Sequence, residues 1–353
     1  MACPKISVIL PAYNVAEYLP RALDSLIHQT FQDFEVFMVD DGSSDDTGRI
    51  CDQYAQWDSR FTALHQHNAG APAARNSAIP HAKGTYLYFM DADDWAEPEM
   101  LAEMIALAED TQAELVVTGF CIDTESANGR VFRQTISPEA AQYDDARAFR
   151  KAATALFDAN LLYSPWNKLF LTQRIQRLNL RFRNTRWDDF PFNLDYIRDV
   201  SRVTVSSAAR YHFVRARADS ETSRYFPEMF EKREEEHRWM VELYKYWGLE
   251  SDPQAREFLA RRYIERVFGV IENTTCAACT LNRREKCRAI KRFLASPSVD
   301  WSLRYAKPHT LMMKIMLIPV RMRSARLTYL LGCFISYVKA HSTGLFARLK
   351  ARR

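Results

Sequence analysis

The sequence is poor in several features that would each have pointed to a function. It has only ten glycines, with no Gly-rich phosphate loop and no Gly-x-Ser-x-Gly elbow. Motif readings as a P-loop nucleotide hydrolase or an α/β-hydrolase are therefore excluded. Ten glycines and fourteen prolines in 353 residues also argue against long disordered stretches. The seven cysteines are scattered and odd in number, which suits reduced thiols better than a disulfide framework. Cys276-Ala277-Ala278-Cys279 with Cys287 falls in a predicted helix without a clear fourth ligand, so zinc is not expected. The eight histidines form no cluster with ligand spacing. No apolar run reaches the roughly 20 residues that cross a bilayer. Met1-Ala2-Cys3-Pro4-Lys5 leads into a strand-like run without a signal-peptide pattern, and a cytoplasmic location is expected. Acid is also missing locally. From Trp301 to Arg353 there are eleven Lys/Arg and no Asp/Glu, so the net charge of +4 hides a body of 37 basic and 44 acidic residues, or −7.

What is present is ordinary in amount, with 47% hydrophobic and 26% charged residues, and informative in order. Strand signals at Ile6–Leu10, Phe34–Val39, Phe61–His65, Thr85–Met90 and Glu114–Phe120 alternate with helix signals. The helices are predicted from Val15 to about Gln29, and near 45–57, 71–83 and 97–110. Asn14 is read as the cap of the first, with Glu17 completing a capping box. Such alternation of continuous apolar strands with helices predicts an α/β fold, a mostly parallel sheet with helices on both faces. The stretch 121–215 is less regular, with short strand candidates at Arg202–Ser206 and Tyr211–Val214. Segments near 228–247, 252–274, 283–295 and 324–350 carry apolar residues at helical spacing, which predicts a C-terminal helical region. The expected organisation is a nucleotide-binding half over 1–120, an acceptor-binding part of the same domain over 121–220, and helices with a basic tail over 221–353.

In parallel sheets, ligands bind beyond the carboxyl ends of the strands. Three polar features fall there: Pro11-Ala12-Tyr13-Asn14, Asp40-Asp41-Gly42-Ser43 and Asp91-Ala92-Asp93-Asp94. Three carboxylates after a buried strand repel each other and are costly to desolvate without a cation or donors. Alternate carboxylates at a strand end can share Mg²⁺ or Mn²⁺, and an ion held with open positions can grip a diphosphate. An acidic turn that only stops the strand is the alternative.

These blocks resemble the family 2 inverting glycosyltransferases of GT-A fold, of the bacterial surface-polysaccharide type. The resemblance runs through Ser7–Asn14, Gln29-Thr30-Phe31, Glu35–Asp45, Asn68-Ala69-Gly70, Ala74-Arg75-Asn76, Ala82-Lys83-Gly84 and Asp91–Asp94. It covers about residues 5–120, and a weaker match continues through Trp166–Leu169, Asp188-Asp189 and Tyr211–Ser220. The resemblance implies a UDP-hexose or UDP-N-acetylhexosamine donor, with Pro11 and Tyr13 lining its nucleotide pocket. One of Asp40 and Asp41, the second for preference, would accept from the uracil N–H, and Arg75 would sit near the diphosphate or the base. Two of Asp91, Asp93 and Asp94 would hold Mn²⁺ or Mg²⁺. Asp189 aligns with the general base, although the family's usual Glu-Asp is Asp-Asp here, which leaves Asp188 as a competitor. An acidic first turn placed by the helix dipole is the plain alternative. Trp166 could stack on a sugar, but core filling is the better reading.

The resemblance also implies a glycan or polyprenyl-diphosphate-linked acceptor for exopolysaccharide, capsule or lipopolysaccharide. Leu311–Pro319 and Leu327–Val338 are short apolar stretches flanked by Arg321, Arg323, Arg326, Lys339, Arg348, Lys350, Arg352 and Arg353. Such flanks suit peripheral attachment to an anionic membrane surface on the cytoplasmic face; a helix packed on the body with a solvated basic side is the alternative. A nucleotide-sugar-binding scaffold without turnover is the second functional class, disfavoured by the intact aspartates. A nucleic-acid partner is not expected, because the tail lacks regularly interleaved aromatics and the body is acidic. A glycosidase also uses paired carboxylates, but the strand-end motif does not suit it.

Overall fold

The computed structural model describes residues 3–125, 130–215 and 225–341. The chain divides into two compact units, Met1–Ala216 and Arg217–Arg353. The first unit opens with β1 (Ile6–Ala12), α1 (Leu19–Ile27), β2 (Phe34–Asp40), α2 (Thr47–Trp57), β3 (Phe61–His65), α3 (Ala71–Ala78) and β4 (Tyr86–Phe89). It continues through β5 (Trp95–Ala96), α4 (Met100–Asp110), β6 (Leu115–Val117), β7 (Phe120–Glu125), β8 (Val131–Ile136), β9 (Ala141–Tyr143) and α5 (Ala146–Asp158). It closes with β10 (Lys168–Leu171), α6 (Thr172–Arg177), α7 (Asp189–Ile197), β11 (Val203–Val205) and β12 (Tyr211–Val214).

The main sheet has eight strands in the order β3-β2-β1-β4-β10-β6-β11-β9. The first four are parallel, and β10 inserts antiparallel between β4 and β6. Residues after 120 therefore complete the sheet begun before it. Val8, Ile9, Leu10, Val36, Met38, Leu87 and Tyr88 are fully buried. That accounts for apolar runs without alternation, since helices cover both faces. Pro11 lies inside β1, not after it as the sequence suggests. It is tolerated because β4 pairs only as far as Ile9, leaving the missing N–H of Pro11 without a partner to lose.

Two local expectations are corrected. The run Glu114–Phe120 is not one strand. It splits at Thr118-Gly119 into β6 of the main sheet and β7 of a second sheet ordered β5-β12-β7-β8. A Cβ at Gly119 would stand 2.4 Å from the Ile136 carbonyl oxygen, so only glycine lets the chain cross between sheets there. Asn14 is not a helix cap. It has a positive φ of 49°, its backbone N–H donates to Ser43 and its side chain accepts from the Ser44 N–H, while α1 begins at Leu19 with Pro20 in its first turn. Asn14 thus ties the β1 turn to the β2 turn.

The second unit is helical: α8 (Met229–Tyr246), α9 (Pro253–Thr275), α10 (Arg283–Leu294), α11 (Pro297–Tyr305), α12 (Leu311–Arg321) and α13 (Ala325–His341). Its core centres on the buried face of α9 from Ala260 to Ile271, with Ile290, Phe293, Leu317 and Ile335 packed around it. α11 falls outside the segments with helical spacing, while α12 coincides with the short apolar stretch Leu311–Pro319. Both are short, and each is started by a side-chain cap, Ser296 and Thr310 respectively, that overlaps the preceding loop signal. No helix among the described residues is long and apolar enough to cross a membrane. The Lys339 side chain, residues 216–220 of the weaker match, the end of the helix expected over 324–350, and Arg348, Lys350, Arg352 and Arg353 lie outside the described residues.

Candidate active site

The carboxyl ends of β3, β2, β1 and β4 form one edge, with Ala12 in register with Asp40, Asp40 with His65, and Ile9 with Phe89. Pro11 is partly buried, and Tyr13 exposes 48% of its surface beside it. The β2 turn is braced from within. Asp40 accepts from the Ser43 N–H at 3.1 Å and faces His65 Nδ1 at 3.1 Å. His65 also meets Asp52 through Nε2 at 2.9 Å; Asp52 first, then Asp40, raise its pKa. Asp41 accepts from Gln66 Nε2 at 2.6 Å, the Ala69 N–H at 2.9 Å and the Gly70 N–H at 2.7 Å. Between the two aspartates and this loop, Gly42 takes a φ of 71°, where a side chain would meet the Asn68 N–H at 2.8 Å. The carboxylate of Asp41 therefore shapes the loop that launches α3.

α3 delivers Arg75, which unites what the sequence holds apart. Arg75 is 5% exposed. Its Nη2 donates to Asp91 Oδ1 and its Nη1 to Asp188 Oδ2, both at 2.9 Å, and Nη1 lies 3.2 Å from Asp189 Oδ1. The last contact is an ion pair without a hydrogen bond: Asp189 Oδ1, like Arg75 Nε, is buried with no hydrogen-bond partner. The next residue clamps the same loop: Asn76 exchanges two 2.8 Å hydrogen bonds with the backbone N–H and carbonyl of Phe182. Phe182 lies under the Arg75 guanidinium at 5.1 Å and stacks on Phe192 of α7 at 4.0 Å, while Phe89 of β4 meets it edge-on at 5.0 Å. This aromatic floor fixes the start of α7 against the end of β4. Trp187 enters α7 with a positive φ of 58°, a conformation that costs energy and persists only where surroundings hold it.

The burial of this cluster sets its protonation. Burial pushes Asp189 up to about 7, partly offset by the Arg75 charge and reinforced by Asp188 and Asp91. Its side chain still shows 28% of its surface, so a hydroxyl can reach it. Burial also raises Asp188, again opposed by Arg75. Lys168, fully buried nearby, is held well below its ordinary pKa by burial. Its amine donates to the carbonyls of Leu161 at 2.6 Å and Ser164 at 2.5 Å and to Asn167 Oδ1 at 2.8 Å. Asn193 of α7 donates to the Tyr163 carbonyl at 2.8 Å, so the 161–164 loop is pinned from two sides.

Asp91 and Asp93 remain partly exposed at the end of β4, but Asp94 does not. The structure gives the Asp94 carboxylate protein partners: it is 0% exposed, and its oxygens accept from Tyr211 Oη at 2.5 Å and the Val214 N–H at 2.8 Å. Burial first, then the charges of Asp93 and Asp91, raise its pKa well above the carboxylate range. Asp94 locks the tetrapeptide to β12. Tyr211 in turn stacks on Trp166 at 4.7 Å, so the 6%-exposed Trp166 is core. Tyr211→Phe should leave one buried Asp94 oxygen without its donor and cost about 1–3 kcal/mol. An unchanged urea midpoint would show that this oxygen is satisfied otherwise.

Among the described residues no group of three or more His, Cys, Asp or Glu could hold a metal ion by itself. Asp91 and Asp93 nevertheless fit a hard cation of the Mg²⁺ kind, which is often bound by one or two carboxylates plus substrate phosphates. The sequence flagged every aspartate of the cluster and Arg75, but not that Arg75 joins them. Asn76, Lys168 and Asn193, which hold the surrounding loops, carried no local signal beyond their place in matching blocks, and Asn193 not even that.

The Glycosyl transferase family 2 profile matches residues 7–171. Over 254 residues the chain is 31% identical to the uncharacterized glycosyltransferase EpsJ of Bacillus subtilis, covering 70% of this chain and 71% of that one. It is 28% identical over 219 residues to the poly(ribitol-phosphate) beta-glucosyltransferase of Bacillus spizizenii, covering 60% of this chain but 32% of the relative. In fold it is similar to S. aureus TarS 1–349 in complex with UDP-GlcNAc, with a TM-score of 0.63, 22% identity, and 95% of this chain and 92% of that one covered. The acidic sheet edge, the GT-A fold and these likenesses agree: the chain belongs to the family 2 glycosyltransferases.

Proposed function

We propose that the protein transfers a hexose or N-acetylhexosamine from a UDP-sugar to a hydroxyl of a glycan acceptor, with inversion. The observation that carries this reading is the Arg75 clasp, which sets Asp91 beside Asp188 and Asp189 although they lie about 100 residues apart. One end of such a cluster suits a diphosphate and the other an attacking hydroxyl. Tyr13 and Pro11 would line the nucleotide side. A carboxylate has about four lone-pair sites, and Asp41 uses three, so one is left for the uracil N–H. Asp40 holds the turn that presents it. Asp91 and Asp93 would hold Mn²⁺ or Mg²⁺, which supplies neutralisation of the charge that grows on the departing diphosphate.

Asp189 would take the proton of the acceptor hydroxyl as the oxygen attacks the anomeric carbon from the face opposite UDP. A pKa of about 7 suits that task, because the base is substantially ionised at neutral pH yet basic enough to accept a proton. Asp188 would keep Arg75 in place. The acceptor is read as a lipid-linked glycan of bacterial surface polysaccharide, in keeping with a relative named for glucosylating poly(ribitol phosphate) and a structural neighbour bound to UDP-GlcNAc. This reading puts the enzyme peripherally on the cytoplasmic face of the membrane.

A screen of nucleotide sugars tests it. UDP-sugars are expected to raise the melting temperature and be slowly hydrolysed with Mn²⁺ or Mg²⁺, and both effects should vanish in EDTA. Stabilisation by GDP-sugars alone would overturn the donor assignment, and full turnover in EDTA would remove the metal.

A further inference from the structure

Eight of the fifteen large apolar residues exposed among the described residues lie between 311 and 337, on α12, α13 and the short link joining them. Their spacing is helical. Leu311, Ile315 and Ile318 with Met322 at the end of α12 recur every three or four residues, within an arc of about 60°. They are 71%, 46%, 58% and 61% exposed, while Met313, Met316, Leu317 and Val320 fill the core behind them. On α13, Leu327, Leu330, Phe334 and Tyr337 form a second stripe, 45–63% exposed, opposite the buried Thr328 and Ile335. Each helix therefore has one apolar side packed into the core and a second apolar side that is largely exposed. A soluble monomer rarely leaves apolar stripes of this length exposed without a partner.

The charge beside the stripes identifies that partner. Lys314 and Arg321 border the α12 stripe on one side, and Arg326 borders that of α13; all three are exposed. Arg323 is instead engaged within the unit, by Asp300 and the Leu294 carbonyl. Neither helix contains an acidic residue. A second copy of this face would bring cation against cation. A protein partner would need acid to match. A bilayer with anionic headgroups supplies both an apolar interior for the stripes and negative charge for their borders. Neither helix is long and apolar enough to span, so the contact is with the surface.

We propose that α12 and α13 together form a docking face for an anionic lipid bilayer, with Ile318 and Phe334 among the side chains that enter it. This deepens the lipid-linked-acceptor reading and assigns membrane contact to the helical pair and not to the terminal basic residues alone.

The test is flotation of the full-length protein with phosphatidylglycerol–phosphatidylcholine vesicles and with phosphatidylcholine alone. Binding is expected only to the anionic vesicles. The double variant Ile318→Glu/Phe334→Glu should lose most of the bound fraction. Trp57→Glu, an exposed apolar position in the other unit, should keep it. Both positions of the double variant are exposed, so circular dichroism and donor hydrolysis should be unchanged. No binding to anionic vesicles, or equal binding by the double variant, would overturn the proposal. A double variant that loses self-association but not vesicle binding would give the face to a second copy and also overturn it. A protein that hydrolyses donor but ignores vesicles would leave the transferase reading standing. Vesicle binding without any turnover would do the opposite.

Discussion

Asp189→Asn is expected to slow sugar transfer by about 10²–10⁴-fold, the usual worth of a positioned general base, while UDP affinity stays unchanged. Asparagine keeps the shape of the side chain and an oxygen for Arg75, so the cluster should survive. What it loses is the ability to take a proton. In the unmodified enzyme, kcat/KM should rise with pH through a limb near 7, because burial holds Asp189 up to about 7 and only the ionised form can act. That limb should disappear in the variant. Transfer of labelled sugar, followed from pH 5 to 9 alongside UDP titration, reads both effects. Near-normal turnover in Asp189→Asn would move the base to Asp188, and the same substitution there would then carry the loss.

Arg75→Met is expected to be the most damaging single change to the fold of the site. The Arg75 side chain is 6% exposed and its guanidinium serves three carboxylates, so its removal leaves like charges close together and uncompensated. Breaking a buried ionic cluster by deleting one partner costs about 3–5 kcal/mol. The sign of the pH dependence follows from the pKa directions. Asp188 and Asp189 lie above the usual aspartate value of about 4. Their contribution to stability is therefore full below about pH 4 and is lost as pH rises through their folded values. Arg75 lowers both, so its removal extends that loss. Urea unfolding should show a larger deficit for Arg75→Met at pH 8 than at pH 5, and any residual activity should have its acid limb displaced upward. Equal deficits at the two pH values would mean that Arg75 acts by packing on Phe182 and not by charge.

The two substitutions separate roles that the aspartate cluster combines. Asp189→Asn should affect rate first, and because the ionised carboxylate disfavours the folded state above its raised pKa, the neutral amide should if anything raise stability at pH 8 and not lower it. Arg75 should affect stability first and the pH profile second.

The α/β alternation, the buried parallel strands and the acidic turns at their carboxyl ends are legible in the order of residues alone. These are local properties. Strands buried on both faces need unbroken apolar runs such as Phe34–Val39, and a turn at a strand end needs Gly42 or its like, so each leaves its mark within a few residues. The family blocks also named the aspartates and Arg75. How those residues meet depends on contacts between distant parts of the chain. Arg75 meets Asp188 across 113 positions, and Tyr211 meets Asp94 across 117. No periodicity records such pairings, because they depend on where β10 and β12 enter their sheets. That is why Asp94, identical in type to Asp91 and Asp93, proved to be an internal anchor, and why Asn14 ties two turns together and caps no helix. The exposed sides of α12 and α13 were hidden in the same way. Hydropathy cannot distinguish an apolar residue that fills a core from one that faces outward until the helix has a neighbour, and packing around α9 made that choice.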